Sequence, residues 1–177
     1  DPRKAAALRS PLASDYHRHD GVQVSLGHHT HQSGLRVAAA LDHVVDGPEG
    51  TRVTSESEPD LGRVTISTEL EPGQVLTVDK LMAYGWSSVR SMPALRDQVD
   101  AALSAARRTG WEGLLAAQRE YFDDVWYRSD IEIEGDPQLQ QAVRFANFQV
   151  VQAAARAEYR GIPAKGLTGR GYDGHTF

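Results

Sequence analysis

The sequence predicts an α+β chain in which antiparallel strands come first and helices follow. Two observations carry that expectation. Up to about residue 87, apolar and polar side chains alternate and turn signals recur at regular spacing, the signature of strands half-buried in a sandwich. From about residue 88, apolar side chains recur three and four apart instead, which is helical spacing.

The strands are read in order. Val22, Val24 and Leu26 alternate with polar residues, and Leu35 to Val45 is a longer apolar run. Val53 lies in a short polar segment, and Val64 and Ile66 alternate again. Gln74 to Tyr84 places Leu76, Val78 and Met82 on one alternating face, broken by Lys80. Gly21, Ser33-Gly34, Asp46-Gly47-Pro48, Pro59-Asp60 and Glu71-Pro72-Gly73 supply the turns. Five strands make a small core for an independent sandwich, so further strand partners are expected.

The helices follow. Ser91 serves as N-cap before Pro93, with Leu95, Val99, Leu103 and Ala106 on one face, and Thr109-Gly110 marks the stop. Trp111 to Trp126 forms a second helix with Trp111, Leu115, Phe122 and Trp126 along one side. Ile131 to Ile133 is a brief strand or an extended link. Asp136-Pro137 then offers an N-cap and an N1 proline for a helix running to about Glu158. On that helix Leu139, Val143, Ala146, Val150 and Ala154 form a stripe that Phe145, Phe148 and Val151 widen. An apolar face so broad calls for burial between neighbouring helices.

Composition narrows the function. The net charge of -5 argues against a nucleic-acid partner, which needs a basic stripe. With no cysteine there are neither disulfides nor thiolate metal sites. The longest aliphatic run, Val37 to Leu41, is too short to span a bilayer, and no stretch reads as a signal peptide. A cytoplasmic protein without membrane partners is the expectation.

Two clusters invite metal chemistry. His17, His19, His28, His29 and His31 fall close together, with Asp15 and Asp20 beside the first pair. Imidazole is a common metal ligand, but a zinc site needs four converging groups, and spacing does not show convergence. Polar edge strands explain the histidines without a metal. Asp130, Glu132, Glu134 and Asp136 alternate along an extended segment, where a hard cation or acid–base chemistry competes with a solvated edge ending in a helix cap. No metal and no cofactor is expected.

The stretch Lys165 to Phe177 interleaves four glycines with a lysine, an arginine, a tyrosine, an aspartate and a histidine. Glycine permits positive φ and close backbone approach, so this is a shaped loop whose other residues suit a polar ligand. The phrases Ser129-Asp-Ile-Glu-Ile-Glu-Gly-Asp136, Gln141-Ala-Val-Arg-Phe145, Ile162-Pro-Ala-Lys-Gly-Leu-Thr-Gly169 and Tyr172-Asp-Gly-His-Thr-Phe177 follow one another at characteristic spacing. From about Ser129 onward the sequence resembles glycoside hydrolase family 65, which holds phosphorylases of maltose, trehalose and kojibiose along with some hydrolases.

The resemblance orders the whole chain. It implies that residues 1–87 are the tail of an antiparallel, galactose-mutarotase-like β-sandwich. Residues 88–128 are then linker helices, and 129–177 the start of an (α/α)6 barrel. The family's closing phrase continues into Trp-Asp-Thr-Glu, so the chain is expected to be an excerpt of a larger enzyme; its start at Asp1 rather than Met fits that.

The implied reaction is inverting phosphorolysis of an α-linked glucose disaccharide. One glutamic acid protonates the glycosidic oxygen while inorganic phosphate, the co-substrate, attacks the opposite face. In the family that acid and the phosphate loop lie beyond the last phrase, so no catalytic residue is assigned here and the excerpt alone is expected to be inactive. The family's phosphorylases are often dimeric, which makes a homodimer the expectation for the parent.

Tyr172, His175 and Phe177 are the candidates for lining the sugar pocket, since aromatic faces pack on pyranose C–H surfaces and imidazole bonds hydroxyls. Tyr172 and His175 could instead brace the loop. Lys165 and Thr168 read as structural, and Arg170 as solvated where the family often has Glu. The competing functional reading is a non-catalytic sandwich module that binds sugar or protein; a metal-binding protein built on the histidines is a third. Apolar faces meant for the rest of a barrel would associate if left bare. The isolated chain is therefore expected to oligomerise or aggregate in sedimentation velocity, and a monodisperse, cooperatively melting monomer would refute the excerpt reading.

Overall fold

A computed structural model describes residues 12–154. Six strands, β1 (Leu12–Asp20), β2 (Gln23–Thr30), β3 (Arg36–Asp46), β4 (Arg52–Glu58), β5 (Leu61–Ser67) and β6 (Thr77–Ser87), precede two helices, α1 (Met92–Ser129) and α2 (Pro137–Ala154). All pairings are antiparallel, in one sheet ordered β1-β2-β3-β6 and a separate β4-β5 ribbon. The α+β class with antiparallel sheets is as the sequence predicts. Among the described residues, 12–115 form one compact unit and 116–154 another.

In the first unit, one strand adds to the five that alternation shows, the polar edge strand that carries His17 and His19. β1 has too few apolar residues to alternate visibly; its ladder to β2, from Leu12↔Thr30 to Asp20↔Gln23 with an irregularity between Ser14 and Tyr16, holds it in place. The last strand starts at Thr77 rather than Gln74. Gln74 is held in a turn, where its side-chain oxygen accepts from Glu71 N at 3.0 Å and its backbone N donates to Glu71 O at 3.0 Å.

One face of the larger sheet is a floor of small side chains. The ladder rows Ser25↔Ala40↔Ala83 and Gly27↔Ala38↔Gly85 run across three strands without a bulky residue. The first part of α1 lies on this floor, with Leu95, Val99 and Leu103 only 0, 1 and 1% exposed. Burying each of them fully is worth about 1.5–3 kcal/mol. The approach is close. A Cβ on Gly85 would stand 3.1 Å from Val99 Cγ2, and one on Gly27 would overlap the Tyr16 ring and come within 2.9 Å of Met92 Sδ. Ser91 begins the helix, its Oγ accepting from Ala94 N at 3.4 Å.

Polar clasps at the rim fix the helix along the sheet. The Arg107 guanidinium donates to both oxygens of Asp42 on β3, at 3.1 and 3.2 Å. That carboxylate is nearly buried and also accepts from His43 N at 2.7 Å, so its charge is matched where an unpaired one would be costly. Asp100 on α1 accepts from Arg18 on β1 at 3.1 Å.

The opposite face of the sheet meets the β4–β5 ribbon over β1 and β2. Gly62 on the ribbon sits against Val24, where any side chain would collide. On the same face, β6 turns Val78, Met82 and Tyr84 outward, and these are 39, 51 and 58% exposed. The sequence picked out that row, but in this unit α1 packs on the other one, Leu81, Ala83 and Gly85. Alternation identified the strand and not which face the helix would choose.

The predicted break at Thr109-Gly110 is present: Gly110 has φ 70 and ψ 170, outside the helical region. An L-residue rarely adopts positive φ, so glycine is the residue that turns the helix here. Of the stripe predicted beyond it, Leu115, Phe122 and Trp126 are half-buried, whereas Trp111 is exposed. Leu95→Ala would leave a cavity between helix and floor. Its expected cost is about 2–5 kcal/mol in chemical denaturation, against a loss below about 0.5 kcal/mol for an exposed control such as Ala101→Ser.

Candidate functional site

The predicted sugar-lining residues Tyr172, His175 and Phe177, with Lys165, Thr168 and Arg170, lie outside the described residues, as does the expected helix end at Glu158. What the structure does describe is the stem that leads to them: the end of α1, the segment Ser129–Asp136, and α2.

Local chemistry sets this stem. Asp136 caps α2, its Oδ1 accepting from Gln138 N and Leu139 N at 3.0 Å each, ahead of Pro137 at the first helical position. Such a cap is worth about 1 kcal/mol. Ser129 ends α1 by donating from Oγ to Val125 O at 2.7 Å. Between these two points the chain is an extended link rather than a strand.

The link finds its hydrogen bonds on α2. Gln140 donates from Nε2 to Ile131 O at 2.8 Å and accepts at Oε1 from Ile133 N at 2.6 Å. Arg144 donates to both oxygens of Asp130, from Nε at 2.9 Å and from Nη2 at 2.5 Å. Asn147 donates to Ser129 O at 2.7 Å. Residues 140, 144 and 147 share one helical face, so three successive side chains meet successive groups of the link. The sequence reading did not single out Gln140 or Asn147. The signal was their spacing with Arg144, a polar row beside a stripe that drew attention for being apolar.

The carboxylates are thereby separated. Asp130 bonds Arg144 and Asp136 caps the helix, while Glu132 and Glu134 are exposed. The histidines likewise divide among separate partners rather than converge on one point. His17 and His19 share Ser57 Oγ at 3.1 Å each, His28 meets Asp60 at 2.9 Å, and His29 meets Asp15 at 2.8 Å. Among the described residues, no three His, Cys, Asp or Glu side chains are placed to hold one metal ion.

The apolar face of α2 is covered on one side. Phe148 packs on Phe122 with ring centroids 5.6 Å apart. Leu139, Phe145 and Val150 remain 48, 63 and 60% exposed, and Trp126, Pro137, Gln141 and Phe145 line an open groove. Among the described residues, no helix is long and apolar enough to cross a membrane.

The profile of the glycosyl hydrolase family 65 N-terminal domain matches residues 1–125. The chain belongs to glycosyl hydrolase family 65. An uncharacterized glycosyl hydrolase of Mycobacterium tuberculosis (strain ATCC 25618 / H37Rv) is 52% identical over 177 residues, all of this chain and 22% of that protein. The α,α-trehalose phosphorylase of Thermoanaerobacter brockii is 32% identical over 158 residues, 89% of this chain and 20% of that one. A solved structure of a candidate kojibiose phosphorylase from the human microbiome superposes with a TM-score of 0.78 at 20% identity, over 94% of this chain and 22% of that chain. This family 65 chain thus spans about a fifth of the length of the relatives it matches. At that identity the superposition establishes the shared fold alone.

The Asp130 carboxyl is held below the ordinary aspartate range, chiefly by its bonds from Arg144. A depressed folded-state pKa favours the fold when the group is ionised. The stabilisation is present above the unfolded-state value of about 3.9 and is lost as pH falls through the lower folded value. Acid titration followed by circular dichroism is expected to show Asp130→Asn lacking that part of the wild-type pH dependence, with the two proteins converging at the acid end.

Proposed function

We propose that this chain is part of an enzyme that cleaves the α-glucosidic bond of a disaccharide by inverting phosphorolysis. The observation that carries the reading is the likeness to the trehalose phosphorylase, 32% identical across 89% of this chain. Kojibiose phosphorylases of Halothermothrix orenii and Escherichia coli, 39 and 32% identical over shorter stretches, support the same class.

In this reading residues 1–87 close a galactose-mutarotase-like β-sandwich, 88–128 are linker helices, and 129–177 open an (α/α)6 barrel. The exposed row on β6 and the uncovered side of α2 support it, because both are apolar faces suited to further strands and helices. Tyr172, His175 and Phe177 line the glucosyl pocket. The general-acid glutamate and the phosphate-binding loop belong to other parts of the full-length protein, a cytoplasmic homodimer.

The chemistry follows from inversion. A phosphate oxygen bonds to the anomeric carbon from the face opposite the leaving group. The bond to the glycosidic oxygen breaks, and that oxygen takes the proton of the acid. Attack on an α-glucoside then yields β-glucose 1-phosphate and a free sugar. Full-length enzyme incubated with trehalose, kojibiose or maltose is expected to consume one of them only when phosphate is present, with the β-anomer first in the NMR spectrum. Glucose release at the same rate without phosphate would mean hydrolysis and sink the proposal.

A further inference from the structure

A cavity of about 490 Å³ opens within the 12–115 unit, where the end of β3 and the turn after it meet Val22 and Arg107. That volume lies in the range of small-molecule sites, about 300–1,000 Å³. His43 lines the cavity and is only 7% exposed. Its Nδ1 meets Val22 O at 2.9 Å, and because a carbonyl only accepts, Nδ1 is the donor. In the neutral ring Nε2 is then an acceptor, and it has no hydrogen-bond partner among the described residues. A buried acceptor of this kind calls for a donor from whatever fills the cavity.

The other polar groups decide what that donor belongs to. Arg107 spends Nη1 on Asp42 and has donors left over, since a guanidinium carries five. Asp46 and Glu49 stand exposed at the rim, in no ion pair among the described residues. With Arg107 and Asp42 matched, these two carboxylates leave the lining negative, which repels phosphate or sulfate. An ammonium suits the carboxylates but offers no acceptor to the guanidinium. A divalent cation lacks its ligands, because no three His, Cys, Asp or Glu side chains among the described residues are placed to hold one. A neutral molecule with several hydroxyls meets every group at once, donating to His43, Asp46 or Glu49 and accepting from Arg107. Val45 and Val53 give its C–H faces an apolar wall. The rim is also set in advance. Thr51 ties the turn through bonds to Pro48 O, from its N at 3.1 Å and its Oγ1 at 2.7 Å, which spares a ligand the cost of ordering it. We infer that this cavity binds a saccharide, one monosaccharide unit with its hydroxyls on His43, Arg107 and the Asp46 and Glu49 carboxylates. The inference does not rest on the reaction proposed above.

The test uses the full-length protein and reads His43 directly. Diethylpyrocarbonate acylates an unprotonated imidazole nitrogen. The tryptic peptide Val37 to Arg52 carries no histidine besides His43, so mass spectrometry follows that residue alone. His43 is expected to react in the free protein. With D-glucose at about ten times its half-protecting concentration, the rate should fall about tenfold by mass action. Sulfate, an anion, and putrescine, a diamine without hydroxyls, should leave the rate unchanged. Asp46→Ala combined with Glu49→Ala alters exposed side chains alone. That double variant is expected to raise the half-protecting concentration about tenfold or more, the scale of a lost charge-assisted hydrogen bond. A His43 that does not react in the free protein would overturn the inference, because its Nε2 would not be open to the cavity. So would failure of glucose to protect, equal protection by sulfate or putrescine, or protection that the double variant leaves unchanged.

Discussion

The first unit depends on how closely α1 can approach the sheet. Two ladder rows of serine, alanine and glycine give Leu95, Val99 and Leu103 a floor without projections. Closeness brings Val99 and Leu95 against Gly85, where no Cβ stands between helix and sheet, and dispersion gains accumulate with such contacts. It also brings Arg107 and Asp100 within reach of Asp42 and Arg18 at the rim. A bulky residue in either row would lift the helix and break those polar clasps together.

Much of this was legible in the sequence. Val24 and Leu26, Val64 and Ile66, and the stripe Leu95, Val99 and Leu103 announced their elements through period alone. Ser91 and Asp136 announced helix starts by side-chain chemistry. β1 was announced only as a polar edge strand bearing His17 and His19; alternation does not bound it, because its strand state comes from pairing with β2, a non-local fact. The face of β6 that α1 covers was not legible for a related reason: small residues such as Ala83 and Gly85 carry little hydrophobic signal, yet they are what a helix seeks when it must come close.

The stem of the candidate site shows the same division. The cap at Asp136 is local and could be read directly. The fate of Asp130 could not, since a carboxylate in an alternating acidic run takes its meaning from Arg144, fourteen residues away. The histidines are the mirror case. Their density raised a shared ligand as the alternative to polar edge strands, and only coordinates show that four of them meet Ser57, Asp60 and Asp15. The family resemblance was carried by four phrases, while the bonds between the first two of them, from Arg144 to Asp130, needed coordinates.

The turn at Gly110 has a consequence for how the chain acquires its structure. A helix grows cheaply once begun but begins at a cost, because the first turn fixes several residues for a single hydrogen bond. An interruption halfway along α1 therefore requires two beginnings where an unbroken helix would need one. The stretch before Gly110 has the sheet floor as a template and can start there. The stretch after it must find its own start, and contacts with α2, among them Phe122 against Phe148, support it within its unit. One glycine thus turns what looks like a single long rod into two separate nucleation problems with different solutions.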